Sequence, residues 1–219
     1  LYVMDENEIR ANCRTYQQAL EKYYNGNGLA LYASKAFACS AVYKIAQEEG
    51  LGIDVVSGGE LYTAIHAGFP MEKVYFHGNN KTTAEMELAL EHGVGRFVVD
   101  SFEELDELSQ LAQQRGVTQK ILFRVKPGID AHTHDFIKTG QIDSKFGMAL
   151  ETGEAMEFAK KAVATPGVEL VGIHCHIGSQ IFDLDPFEEA AKVMIDFMAD
   201  VKEQCNLELS ELNLGGGFG

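Results

Sequence analysis

Lys35 stands at the end of a short apolar run, Leu29 to Ser34, and a helix-like segment opens a few residues later at Cys39. A single amine at the mouth of a strand has two readings. It can be solvated like most surface lysines, or it can form a Schiff base with a carbonyl cofactor. Its company favours the second, because later apolar runs also end in groups that suit a phosphate-bearing cofactor. These are Asp54 through Gly59, His77-Gly78-Asn79-Asn80, Arg124, His174-Cys175-His176-Ile177-Gly178-Ser179 and Gly215-Gly216-Gly217.

The chemistry of each group is specific. Gly215, Gly216 and Gly217 after an apolar strand let backbone N–H groups approach an anion with no side chain in the way; a plain flexible turn has the same composition. Ser179, beside Gly178, can add a hydroxyl donor to that anion or serve only its turn. His174 and His176 lie two apart on one strand and share a face, which invites a metal. The other His and Cys residues are not spaced to complete a zinc set, so the reading is no metal, with a histidine lying flat against an aromatic cofactor ring. Asp54 and Arg124 sit at inward-facing strand positions and suit an ion pair that orients the lysine, or a structural salt bridge. His77 is a further orienting or substrate-facing candidate.

The elements that must position these groups alternate. The pattern predicts a short strand at Tyr2–Met4 and a helix over about 8–24, stopped by Asn25-Gly26-Asn27-Gly28. Strands then fall near 29–34, 53–57, 74–77, 96–100 and 120–125, with helices near 39–49, 60–67, 83–92 and 102–115. Strand centres lie roughly 20 to 25 residues apart, as parallel strands with crossover helices require. Between Lys126 and Ala149 the rhythm breaks into a long irregular stretch with His132, His134, Asp135 and Asp143-Ser144-Lys145-Phe146-Gly147. Helix returns over 151–164 and 186–204, strand over 168–176 and 209–214. Seven βα-type strands result, one fewer than closes a (β/α)₈ barrel, and in such a barrel ligands bind at the C-terminal strand ends. The expected organisation is a leading strand and helix over 1–28 and a truncated barrel over 29–219.

Composition narrows the setting. With 219 residues, 46% of them hydrophobic, the chain can bury a sizeable core. A formal charge of −15 repels nucleic acid and anionic membranes, so neither is expected as a partner and an anionic ligand needs local groups. No stretch has the length and apolarity of a membrane span, the start lacks a signal core and an initiating Met, and Cys13, Cys39, Cys175 and Cys205 form no disulfide framework. The expectation is a soluble cytoplasmic piece trimmed at its N-terminus, with reduced thiols.

Taken together, Tyr32-Ala33-Ser34-Lys35-Ala36, Asp54 through Leu61, His77 through Lys81, His174 through Gln180 and Leu214 through Gly219 resemble the diaminopimelate decarboxylase family. Lys126 through His134 and Ser144-Lys145-Phe146-Gly147 also look like that family's, so the resemblance runs the length of the chain. Phe37 departs from it, standing where many members carry Asn. The resemblance implies a pyridoxal 5'-phosphate enzyme on an alanine-racemase-like barrel. It implies that Lys35 carries the cofactor aldehyde, that His176 stacks on the ring, and that Ser179 with Gly215–Gly217 binds the phosphate. It implies decarboxylation of meso-2,6-diaminopimelate to L-lysine and CO₂, the last step of lysine biosynthesis, by a homodimer whose subunits share active sites. The family's eighth strand, pyridine-facing acid and C-terminal β-domain are not in these residues, so the 219 residues by themselves are expected to be inactive. Rival readings are a decarboxylase of another basic amino acid (ornithine, arginine or carboxynorspermidine) and a non-catalytic cofactor-binding or regulatory protein.

Overall fold

The computed structural model describes residues 1–129 and 145–219. The chain forms two compact units, Leu1–His77 with Glu87–Arg96, and Gly78–Met86 with Phe97–Gly219. In both, parallel strands alternate with helices, and the strands end where the site residues begin.

The first unit opens with helix α1, Glu6–Tyr24, capped by Asp5, whose carboxylate accepts the Asn7 N–H at 2.8 Å. Strands β1 (Leu31–Ala33), β2 (Gly52–Val55) and β3 (Val74–Phe76) pair in parallel, Ala33 opposite Asp54 and Asp54 opposite Tyr75. Helices α2 (Ser40–Glu48) and α3 (Gly58–Ala67) link them. Ile53, Val55, Val74 and Phe76 are wholly buried, as expected of parallel strands covered on both faces, and Tyr43, Leu61 and Ala64 cover them from the helices. Tyr2–Met4 is not a strand; those side chains are exposed and α1 starts directly after them. A strand needs a partner for its backbone groups, and β-propensity over three residues supplies none.

In the second unit β4 (Arg96–Val99) pairs with β5 (Gln119–Lys126) from Phe97 onward, β5 pairs with β7 (Val168–His174), and β7 pairs with β8 (Glu211–Asn213). Helix α4, Thr83–Glu91, is divided between the two units; α5 (Phe102–Arg115), α6 (Glu154–Ala164) and α7 (Asp185–Cys205) complete the second unit's alternation. The core is aromatic: the Phe158 ring lies 4.8 Å from Phe123 and 5.1 Å from Phe102, centroid to centroid. Truncating Phe123 or Phe158, both wholly buried, costs about 3–5 kcal/mol. One element was not expected. A two-residue strand, β6 (Met148–Ala149), joins β5 within the stretch read as irregular; two residues are too few to carry a periodic signal. His132, His134, Asp135, Asp143 and Ser144 of that stretch lie outside the described residues.

Candidate functional site

In the first unit β1 runs straight into a single 3₁₀ turn, Ser34–Ala36, and Lys35 rides on it, exposed, above a buried Ser34. The Tyr32 hydroxyl donates to the Phe37 carbonyl at 3.0 Å and closes that turn. Asp54 and His77 face each other with 3.2 Å between Oδ1 and Nε2. The register explains the pair: Asp54 lies opposite Tyr75, and His77, two residues on, projects from Tyr75's side of its strand. Within the first unit His77 is the partner of Asp54, and Arg124 belongs to the second unit. Glu60 stands behind Lys35. Its Oε2 accepts the Val56 N–H at 2.8 Å, and burial pushes its carboxyl up while that N–H and the Lys35 charge pull it back.

In the second unit Arg124, near the end of β5, lays its guanidinium 4.2 Å from the centre of the Phe146 ring. Burial pulls that guanidinium down, and the neighbouring buried carboxylate, Asp100, opposes the shift. Cys175 is fully buried and its thiol is pushed up to about 12, so it is no nucleophile at neutral pH. His176 is half-buried beyond the end of β7, and His174 is buried within it.

The glycine turn after β8 is tightly specified. Gly215 and Gly217 have φ of +73° and +107°, where L side chains strain. A Cβ on Gly215 would fall 2.9 Å from His176 Nδ1, and one on Gly217 would fall 2.0 Å from the Gly178 carbonyl oxygen. Asn213 Oδ1 accepts the Gly215 N–H at 2.8 Å, and the Ile181 N–H donates to Gly217 at 2.9 Å. A parallel bridge between Ile181 and Phe218 completes the closure. Gly216 differs. A Cβ there would meet nothing within 4 Å, so this one glycine faces open space. Ser179 lies between Gly178 and Ile181, the two residues that touch Gly217. The structure thus gathers His176, Ser179 and Gly215–Gly217 in one unit and Lys35, Asp54 and His77 in the other.

Residues 6–219 match the family model for the pyridoxal-dependent decarboxylase, pyridoxal binding domain. The chain belongs to the pyridoxal-dependent decarboxylases. It is 50% identical over all 219 residues to the diaminopimelate decarboxylase of Bacillus methanolicus. Against the M. jannaschii diaminopimelate decarboxylase solved with L-lysine the TM-score is 0.90 at 39% identity, over 99% of this chain and 50% of that one. Against the Helicobacter pylori enzyme, also solved with L-lysine, it is 0.86 at 33% identity, over 98% and 53%. The chain spans about half the length of the curated relatives it matches. Its fold is the α/β barrel class that the βα rhythm predicts, and the cofactor of the family is pyridoxal phosphate.

The residues fit that cofactor. A phosphate needs N–H donors and room, and Gly216 offers room in a turn whose neighbours admit no side chain; an aldehyde needs a reachable amine, and Lys35 is exposed. Among the described residues no group of His, Cys, Asp and Glu is arranged to hold a metal ion, and no helix is long and apolar enough to cross a membrane. Sequence reasoning missed Glu60, whose signal was a capping box, Ser57-x-x-Glu60: the Ser57 hydroxyl accepts the Glu60 N–H at 3.3 Å. It also missed Lys81, whose side chain is 1% exposed.

Proposed function

We propose that the full-length protein decarboxylates meso-2,6-diaminopimelate to L-lysine and CO₂, closing lysine biosynthesis, as a cytoplasmic homodimer with shared active sites. The observation that carries the reading is the glycine turn, with an open Gly216 between two glycines that nothing else can replace. Identity of 50% to a diaminopimelate decarboxylase across the whole chain narrows the substrate.

Pyridoxal phosphate supplies an electron sink for the pair left when a carboxylate departs. The remaining roles belong to this chain. Lys35 would hold the cofactor's aldehyde through its exposed amine. Gly215–Gly217 and the Ser179 hydroxyl would bind the phosphate through N–H and O–H donors. His176, beside Gly215, would stack against the cofactor ring. Asp54 and His77, 3.2 Å apart, would form a cofactor-orienting pair. Arg124, cationic beside Asp100, orients substrate or ring. Glu60, whose carboxyl burial pushes up near Lys35, would exchange a proton with its amine.

The test is a substrate panel on the full-length protein: meso-diaminopimelate, ornithine, arginine, lysine and carboxynorspermidine, with CO₂ release measured. Turnover of meso-diaminopimelate above the others is expected. Preference for another amine moves the enzyme to a sister specificity, and CO₂ from none makes the chain a binding protein.

A further inference from the structure

Lys81 is a lysine out of its usual place. Only 1% of its side chain is exposed, and its Nζ donates at 2.8 Å to the Gly78 carbonyl, at 2.8 Å to the Val98 carbonyl and at 2.7 Å to Glu104 Oε1. An ammonium has three protons to give, and all are placed. The other Glu104 oxygen, Oε2, accepts the Asp100 N–H at 3.0 Å, and the Ser101 hydroxyl accepts the Glu104 N–H at 3.1 Å. The side chains of Lys81 and Glu104 therefore bind three backbone points, the turn after His77, the last residues of β4 and Asp100, while Ser101 caps the start of α5.

A buried ion pair is costly to desolvate and gives fold stability poorly, since apolar residues of the same volume do as well or better. What it gives well is position, because charge-assisted bonds are short and directional. The positions set here bear on the site. Gly78 carries the peptide that follows His77, and Asp100 is the carboxylate beside Arg124. Spanning 23 residues, the pair fixes two strand-end turns that share no direct covalent link.

We propose that Lys81, held by Glu104, is a positioning residue for the decarboxylation, fixing the Gly78–Asn80 turn and Asp100 so that His77 and Arg124 keep their places. This rests on the reaction proposed above. Full engagement also removes Lys81 as a rival to Lys35 for the aldehyde.

The test uses the full-length holoenzyme and the double variant Lys81→Met/Glu104→Gln, which deletes both charges together and leaves no unpaired buried ion. Three quantities are read: the melting temperature, kcat and KM for meso-diaminopimelate, and hydrogen exchange in the peptide spanning His77–Lys81. The expected result is a melting temperature close to wild type, faster exchange in that peptide, and a fall of about tenfold to a hundredfold in kcat with a smaller change in KM, the scale of a misplaced group. Unchanged exchange, or kcat within about twofold of wild type, the spread within which no positioning loss of that scale is resolved, overturns the proposal. If the wild-type protein itself releases no CO₂ from meso-diaminopimelate, the functional reading fails separately, and exchange together with pyridoxal phosphate affinity decides the tether: both unchanged, it is overturned. Should the double variant not fold, Lys81→Arg keeps the charge but cannot place a planar fork on three ammonium acceptors. It is then expected to show the same exchange and kcat changes, and wild-type values for both overturn the proposal.

Discussion

The turn that carries Lys35 and the turn that carries Gly216 solve opposite problems. Around Lys35 the backbone is ordinary, one 3₁₀ turn closed by Tyr32, and everything chemical lies in one exposed side chain. Around Gly216 side chains must be absent, because the chain passes so near His176 and Gly178 that a Cβ on either neighbouring glycine has no room. One region is specified by a side chain and forgiving of its backbone; the other is specified by backbone and intolerant of side chains. Substitutions should therefore separate fold from function in the first region and join them in most of the second.

The largest effect is expected at Lys35. In the full-length enzyme Lys35→Ala should lower CO₂ release by about a thousandfold or more, the scale on which a covalent and proton-transferring group acts, with the melting temperature unchanged. Borohydride reduction of wild type followed by peptide mapping should place the pyridoxyl group on the Lys35 peptide, and a label elsewhere breaks the comparison at its root. Next comes Gly217→Ala. With φ at +107° and a carbonyl oxygen 2.0 Å from the new Cβ, the turn must shift, at a cost of about 1–3 kcal/mol in a denaturant titration, and cofactor affinity should fall with it. Gly216→Val sharpens the contrast, since the side chain enters open space: stability should stay within about 0.5 kcal/mol of wild type while pyridoxal phosphate binds more weakly and substrate preference is kept. Equal stability losses at Gly216 and Gly217 would show that the open direction at Gly216 has no special meaning.

This contrast also decides what could be read from the chain. The placement of Lys35, His176, Ser179 and the glycines after strand ends was legible because a polar group or glycine closing an apolar run is a local signal. The βα rhythm was legible for the same reason, down to α5 at Phe102–Arg115. Partnerships were not. Asp54 finds His77 through register between β2 and β3, and register is a property of two strands that neither spells out. Lys81 gave no local sign of its partner, because nothing adjacent to it announces Glu104, 23 positions away. Gly216 could not be told from its neighbours until the backbone showed which glycine faces space.

The smallest effect concerns the support under the Lys35 turn, which leads into α2. Glu49, at the end of that helix, receives Arg14 Nε at 2.7 Å and Arg10 Nη1 at 3.0 Å from α1. The two guanidinium groups hold its carboxyl down at about 2, against 4.5 ordinarily. A depressed carboxyl stabilises fully above its unfolded value, so the link between α1 and α2 should be intact at neutral pH and weaken as pH falls from 4.5 towards 2. The protection factors of the α1 amides, which remove the intrinsic pH dependence of exchange, should fall across that window, and Arg14→Ala should move the fall to higher pH. Protection independent of pH would mean that α1 is held by other contacts.

The Ile181–Phe218 bridge has a consequence for the chain as it is made. Gly178 through Ile181 leave the ribosome well before Gly217 and Phe218, the residues that close against them. At roughly 5–20 residues per second, the 36 positions from Ile181 to Gly217 take about two to seven seconds. During that interval the bridge between Ile181 and Phe218 cannot form, while the contact between Lys81 and Glu104 can already be made. Under the proposed assignment of the phosphate to the glycine turn, its seat is complete only once synthesis has passed Gly217.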